Sequence, residues 1–182
     1  MKALLTSTGF ENFNFGELFL NNMEKKPEDL RVMFITVAAI TEEQKSYIPK
    51  CREDLTMIGI KEENIIEYNF ESKLPMIWWI GFDAIYVCGG DEHHLMEVIN
   101  ESNEEDRLYN AVKTGVFYIG VSAGSCICGT SVKNGLRFIE ADIVPHAGVG
   151  SACGEVDPDE KIIYITDSQA IWIHDNIKEI IM

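Results

Sequence analysis

Cations are scarce in this chain: 15 lysines and arginines stand against 30 aspartates and glutamates, a net charge of −15 at neutral pH. So few positive groups could not neutralise a run of phosphates, so no nucleic-acid partner is expected. The same imbalance disfavours an anionic membrane surface. Long apolar runs are also missing, and none reaches the ~18 residues of a membrane span. Met1 to Thr6 turns polar too early for a signal peptide, which makes a cytoplasmic protein the expectation. Cysteine is sparse and odd in number, five in all. Cys126 and Cys128 have a single residue between them, where a zinc knuckle usually has about two to four. Reduced and mostly buried thiols are therefore expected. His93 and His94 are adjacent rather than one helical turn apart, so no metal site is expected; no cofactor is expected either.

What remains is ordinary globular material. The 182 residues, 46% of them hydrophobic, suit one domain spanning 1–182 with a real core. Apolar runs at Leu4–Ser7, Arg31–Val37, Asn64–Tyr68, Ala84–Cys88 and Val116–Val121 read as strands. Between them lie helical stretches. One covers about 15–25. A second opens at Thr41, with Gln44 as capping-box partner, and carries Tyr47, Ile48, Cys51, Leu55 and Ile58 on one side. Pro49 is placed to kink it. Pro75–Gly81 has the character of a short helix packed on the sheet. Asp91 caps a helix reaching about Asn100, and Glu104–Lys113 makes another. Alternation of this kind predicts an α/β fold: a doubly wound, mostly parallel sheet with helices on both faces. Further on, 162–166 reads as a strand, and Ala170–Ile173 with Ile177–Ile181 reads as a C-terminal β-hairpin turning at Asp175-Asn176.

The stretch with the most chemistry in it is Gly120-Val121-Ser122-Ala123-Gly124, at the end of a strand and before small residues. It matches G-x-S-x-G, the nucleophile elbow, in which a serine on a strained strand-to-helix turn needs neighbours almost without side chains. A serine hydroxyl needs a base to take its proton, usually histidine. His146 follows Ile143-Val144-Pro145 and precedes the flexible Ala147–Gly150, so it belongs at the carboxyl end of a strand, where ligands gather in such sheets. Asp167, directly after the 162–166 strand, is the candidate to orient it, with Asp142 as runner-up. Asp157 and Asp159 read as turn residues, and His174 as exposed. An oxyanion hole needs an N–H from Ala123 and a second from another turn, for which Gly89-Gly90 is placed. Gly89, Asp91 and Ser125 are the candidate substrate contacts.

Five segments in this order, Leu5-Thr6-Ser7-Thr8-Gly9-Phe10, Ala38-Ala39-Ile40-Thr41, Val87-Cys88-Gly89-Gly90-Asp91, Gly120–Gly124 and Val144-Pro145-His146, with Thr166–Ile171 as a sixth, resemble the dipeptidase E (aspartyl dipeptidase) family of serine peptidases. The resemblance implies a class I glutamine amidotransferase-like fold with serine in place of the cysteine nucleophile. It makes Ser122 the nucleophile, His146 the base, Asp167 the third member, and Gly90 and Ala123 the oxyanion donors. Two features depart from the family. The segments on either side of His146 are short, and the stretch from His146 to Ile162 contains no arginine, the kind of residue that would receive an N-terminal aspartate. In place of the family's Gly-Gly-Asn-Thr stands Gly-Gly-Asp-Glu, which is expected to put two carboxylates near the pocket.

The function expected is a serine peptidase, monomeric or homodimeric, that hydrolyses short peptides, including Asp-Xaa dipeptides, through a Ser-His-Asp triad and an acyl-enzyme. The alternative is a non-catalytic module on the same scaffold that binds a small ligand.

Overall fold

The computed structural model describes residues 1–182, the side chain of Phe13 excepted. Its strands are β1 (Lys2–Thr6), β2 (Val32–Ile35), β3 (Ile65–Glu67), β4 (Ala84–Val87), β5 (Phe117–Val121), β6 (Asp142–Val144), β7 (Gly154–Glu155), β8 (Ile162–Tyr164), β9 (Ala170–His174) and β10 (Ile177–Ile181). The helices are α1 (Phe13–Asn21), α2 (Glu42–Lys45), α3 (Ile48–Met57), α4 (Met76–Trp79), α5 (Glu92–Ser102), α6 (Glu105–Lys113) and α7 (Ala123–Cys126).

Eight strands form one sheet in the order β3-β2-β4-β5-β1-β9-β10-β7. The five strands from β3 to β1 are parallel, and the remainder pair antiparallel, with β9 and β10 forming the terminal hairpin. Alternation along each buried strand sends side chains to two separate cores. Leu5, Met33, Ile85, Val87 and Tyr118 pack under α5, α6 and α7. Leu4, Phe34, Tyr86, Phe117 and Ile119 pack under α1 and α3. Helices thus cover both faces, as the continuous apolar runs required. Among the described residues, no helix is long and apolar enough to cross a membrane.

Three local outcomes bear on the site. The single helix expected from Thr41 is two helices. Thr41 and Gln44 do form the capping box. Pro49, however, has no N–H to donate back to Lys45, so α3 starts afresh with proline in its first turn. Tyr47, expected on the buried face, is 61% exposed at that break. Next, the 162–166 strand is shorter and lies outside the main sheet: β8 pairs in parallel with β6 alone, Val144 opposite Tyr164. That ladder sends the segments carrying His146 and Asp167 out from the same end. Finally, Pro75–Gly81 contains a one-turn helix anchored by Trp79, whose indole N–H donates to the buried Glu104 carboxylate at 2.8 Å.

Candidate active site

The loops leaving β1, β4 and β5, adjacent in the sheet, meet at its carboxyl edge. Ser122 follows β5 with φ +48° and ψ −107°, a conformation that costs about 1–3 kcal/mol and must be held by its surroundings. Its N–H donates to Thr6 O at 2.9 Å, and its carbonyl accepts from Ser125 N at 2.8 Å, which opens α7. The two motif glycines make room for this. A Cβ on Gly120 would lie 2.6 Å from Gly124 O, and one on Gly124 would lie 2.4 Å from Val87 O.

His146 stands opposite, with φ +57°. Its Nδ1 is 2.7 Å from Asp167 Oδ1, and its Nε2 is 3.2 Å from Ser122 Oγ. A carboxylate can only accept, so Nδ1 carries the proton and Nε2 presents a lone pair to the serine hydroxyl. Both side chains are half exposed or more. Backbone contacts hold them in place: the His146 N–H donates to Ser7 Oγ at 3.0 Å, and Thr8 Oγ1 donates to Asp167 O at 3.2 Å. The structure therefore brings Ser122, His146 and Asp167 into one hydrogen-bonded row.

Other sequence candidates fall elsewhere. Asp142 sits at the far end of β6, where its carboxylate accepts from the Thr130 hydroxyl. Ser125 is fully buried, its hydroxyl within hydrogen-bonding distance of Thr6 O and Gly120 O at 2.8 and 2.9 Å, so it fastens the elbow to β1 and does not reach substrate. Asp91 caps α5 by accepting from His94 N at 2.8 Å and lines a different surface groove, beside His93 and His94. The carboxylate expected of it near the pocket is absent because the cap turns it toward its own helix. Glu92 does not line the Ser122 cleft either. His174 is stacked on Trp172 and half-buried rather than exposed. Asp157 makes the expected turn, accepting from Asp159 N. Gly89 does line the site, 3.2 Å from the Ser122 Cβ if given a Cβ of its own. The Gly90 and Ala123 N–H groups enter no backbone ladder or turn among the described residues.

A cleft of about 400 Å³ opens in front of Ser122, and its far wall is made by residues for which the sequence suggested no role at the site. Glu11 and Lys50 form an ion pair at its rim, which holds the lysine's pKa above its ordinary value. Deeper lie Cys51, Asp54 and Cys88. Burial raises the Asp54 carboxyl above its ordinary value, partly opposed by a hydrogen bond from Phe10 N at 3.1 Å. The Cys88 thiol lowers Cys51 through a hydrogen bond, while burial pushes Cys88 itself up. On the other side of the elbow Cys126 is pushed up to about 12 by burial, which keeps it an inert thiol. Positions 51 and 54, three apart on α3, share a helical face, which was available as a signal for part of this wall.

The profile of Peptidase family S51 matches residues 3–181. Peptidase E from a Nostoc species is 30% identical over 141 residues, which is 70% of this chain and 54% of that protein. This chain thus spans about half the length of that relative. Peptidase E of Shewanella denitrificans is 23% identical over 167 residues, 77% of this chain and 69% of that one. Among solved structures, a peptidase E-type protein from Listeria monocytogenes EGD-e superposes with a TM-score of 0.76 at 20% identity, covering 99% of this chain and 96% of the other. A peptidase from an acI-B1 Actinobacterium gives 0.68 at 15% identity, covering 99% and 86%. At those identities the two structures speak for the fold.

Proposed function

The chain belongs to peptidase family S51, and on that premise we propose that it is a serine peptidase of short peptides, with Ser122 as nucleophile, His146 as general base and Asp167 as the carboxylate that orients it. The observation carrying this reading is the row of contacts at 2.7 and 3.2 Å from Asp167 through His146 to a strained serine. In the first half-reaction Ser122 Oγ bonds to the scissile carbonyl carbon as its proton passes to His146 Nε2. The carbonyl oxygen becomes an oxyanion and takes hydrogen bonds from the N–H groups of Gly90 and Ala123. Asp167 stabilises the imidazolium, which then gives its proton to the leaving nitrogen as the C–N bond breaks. Water, deprotonated by His146, repeats the sequence on the acyl-enzyme and frees Ser122.

The substrate class follows from charge. Among the residues lining the cleft, Lys50 is the one lysine or arginine, and it is engaged by Glu11. An N-terminal aspartate would have to draw that lysine away while facing Glu11, Asp54 and Asp167. Neutral N-terminal residues meet no such opposition, so the substrate we propose is a short peptide with no requirement for aspartate. Labelling with a fluorophosphonate, read by intact mass, tests the chemistry. Stoichiometric addition that vanishes in Ser122→Ala is the expected result; a folded protein that takes no label returns the chain to a ligand-binding role. A dipeptide panel with Asp, Glu, Lys, Arg and neutral N-termini tests the specificity, and a clear preference for Asp would overturn that part.

A further inference from the structure

We propose that Asp54 is a specificity-determining residue that receives the protonated amino group of the substrate inside the cleft. The inference rests on the peptidase reading for the class of substrate, but its evidence is separate. Asp54 is 8% exposed, and one of its oxygens, Oδ2, accepts from Phe10 N. Among the described residues the other has no protein partner, yet it is not sealed from solvent, since the Tyr86 hydroxyl is the one buried side-chain polar atom left unpaired there. Asp54 lines the Ser122 cleft, and the proposal takes that cleft as the access of the unpaired oxygen.

A buried carboxylate is costly without a cation, and buried charges are generally paired. Among the described residues no cation is bonded to Asp54. The nearest positive influence is Lys50, one helical turn back, which is paired with Glu11 at the rim, while Glu11 and Glu53 add further negative potential at Asp54. Among the described residues no hydroxyl, thiol or ammonium is hydrogen-bonded to Asp54, whose one bond is from Phe10 N. Tyr86 is sealed beneath, its hydroxyl 2.5 Å and Asp54 Oδ2 3.0 Å from the Cβ position of Gly9. The missing partner is one that arrives with the substrate. A peptide offers an ammonium in one of two places, its free α-amino group or a basic side chain, and both present the same N–H donors to the open oxygen.

A purely structural role, holding the Gly9-Phe10 turn, would need an acceptor and no charge. Asp54→Asn keeps the acceptor and removes the charge, which separates the two. Binding is read by calorimetry on the Ser122→Ala protein, so no turnover is required, with three probes: alanyl-alanine, N-acetyl-alanyl-alanine and N-acetyl-lysyl-alanine. The expected result is that at least one ammonium-bearing probe binds about tenfold or more tighter than N-acetyl-alanyl-alanine, and that Asp54→Asn abolishes the difference. The identity of that probe says whether the α-amine or the side chain is the group received. Glu11→Gln, which removes the same charge from the rim, should leave most of the preference intact. Equal binding of all three probes overturns the proposal without needing the Asn variant, as does a preference that survives Asp54→Asn or is lost equally in Glu11→Gln. An ammonium preference in a protein whose Ser122 takes no fluorophosphonate would keep Asp54 as an amine site and discard the peptidase reading alone.

Discussion

The backbone N–H of His146 donates to the hydroxyl of Ser7 across 139 positions of sequence, at 3.0 Å. Ser7 lies within hydrogen-bonding distance of Ile165 O and Thr166 O as well, at 3.2 and 3.1 Å. One hydroxyl at the end of β1 therefore ties together the two segments that carry the base and its carboxylate. It also helps hold His146 at a positive φ that a non-glycine residue adopts only under constraint.

Ser7→Ala removes that tie without deleting any proposed reacting group. The orphaned His146 N–H costs about 1–3 kcal/mol of stability. Displacement of the imidazole by a fraction of an ångström to an ångström costs up to roughly 10²-fold in kcat. KM should change little, because Ser7 holds the base rather than the peptide. Steady-state kinetics beside a thermal melt read both effects, and a variant that loses stability with kcat intact would remove Ser7 from the positioning of His146.

Asp167→Asn leaves the shape of the row but deprives the imidazolium of its counter-charge and disturbs its tautomer. By analogy with other triads the loss in kcat is up to roughly 10⁴-fold. Asp142→Asn, at the other end of β6, should cost little in turnover, since its carboxylate only accepts from Thr130. Measuring kcat for the two variants side by side decides between them, and a greater loss in Asp142→Asn would displace Asp167.

Gly124→Ala tests the elbow itself. The new methyl would meet Val87 O at 2.4 Å, a clash with backbone that no rotamer change relieves. Overpacking of this kind costs about 1–3 kcal/mol or more, and here the relief available is movement of the turn that holds Ser122. Both the melting temperature and the rate of fluorophosphonate labelling should fall. A variant that labels at the wild-type rate would mean that the elbow tolerates more backbone shift than these contacts allow.

Which parts of this could be read in advance follows from the range of the forces involved. The strands were legible because buried parallel strands have to be apolar along their whole length, as Val32–Ile35 and Phe117–Val121 are. The elbow was legible because its sterics are local, confined to five residues. The pairing of His146 with Asp167 was legible through their places after two strands, although that the two strands would pair with each other, outside the main sheet, was not. The far wall of the cleft was not read. It depends on a break at Pro49 that rotates Tyr47 outward, and on Glu11 reaching Lys50 across 39 positions. Asp91 misled for a related reason: an aspartate before a helix can cap it or face a ligand, and the sequence does not say which way the side chain turns.

The pH dependence of stability gives a last test, independent of any substrate. Burial raises the Asp54 carboxyl above its ordinary value of 3.8, so the folded state holds this proton more tightly than the unfolded chain. For an acid shifted in that direction, stability is fully present below the unfolded value and is lost as pH rises through the folded one. Asp54→Asn has no proton to lose and still accepts from Phe10 N. The carboxylates common to both proteins largely cancel when the two are compared, although Glu11 and Glu53 beside Asp54 and the Lys50 ammonium modulate its titration. The difference in melting temperature between variant and wild type should therefore shift in favour of asparagine as pH is raised from about 3.8 toward neutrality, and then level off. A difference that does not change with pH would mean that Asp54 is not strained by its burial, and would take away the reason for its needing a cation from the substrate.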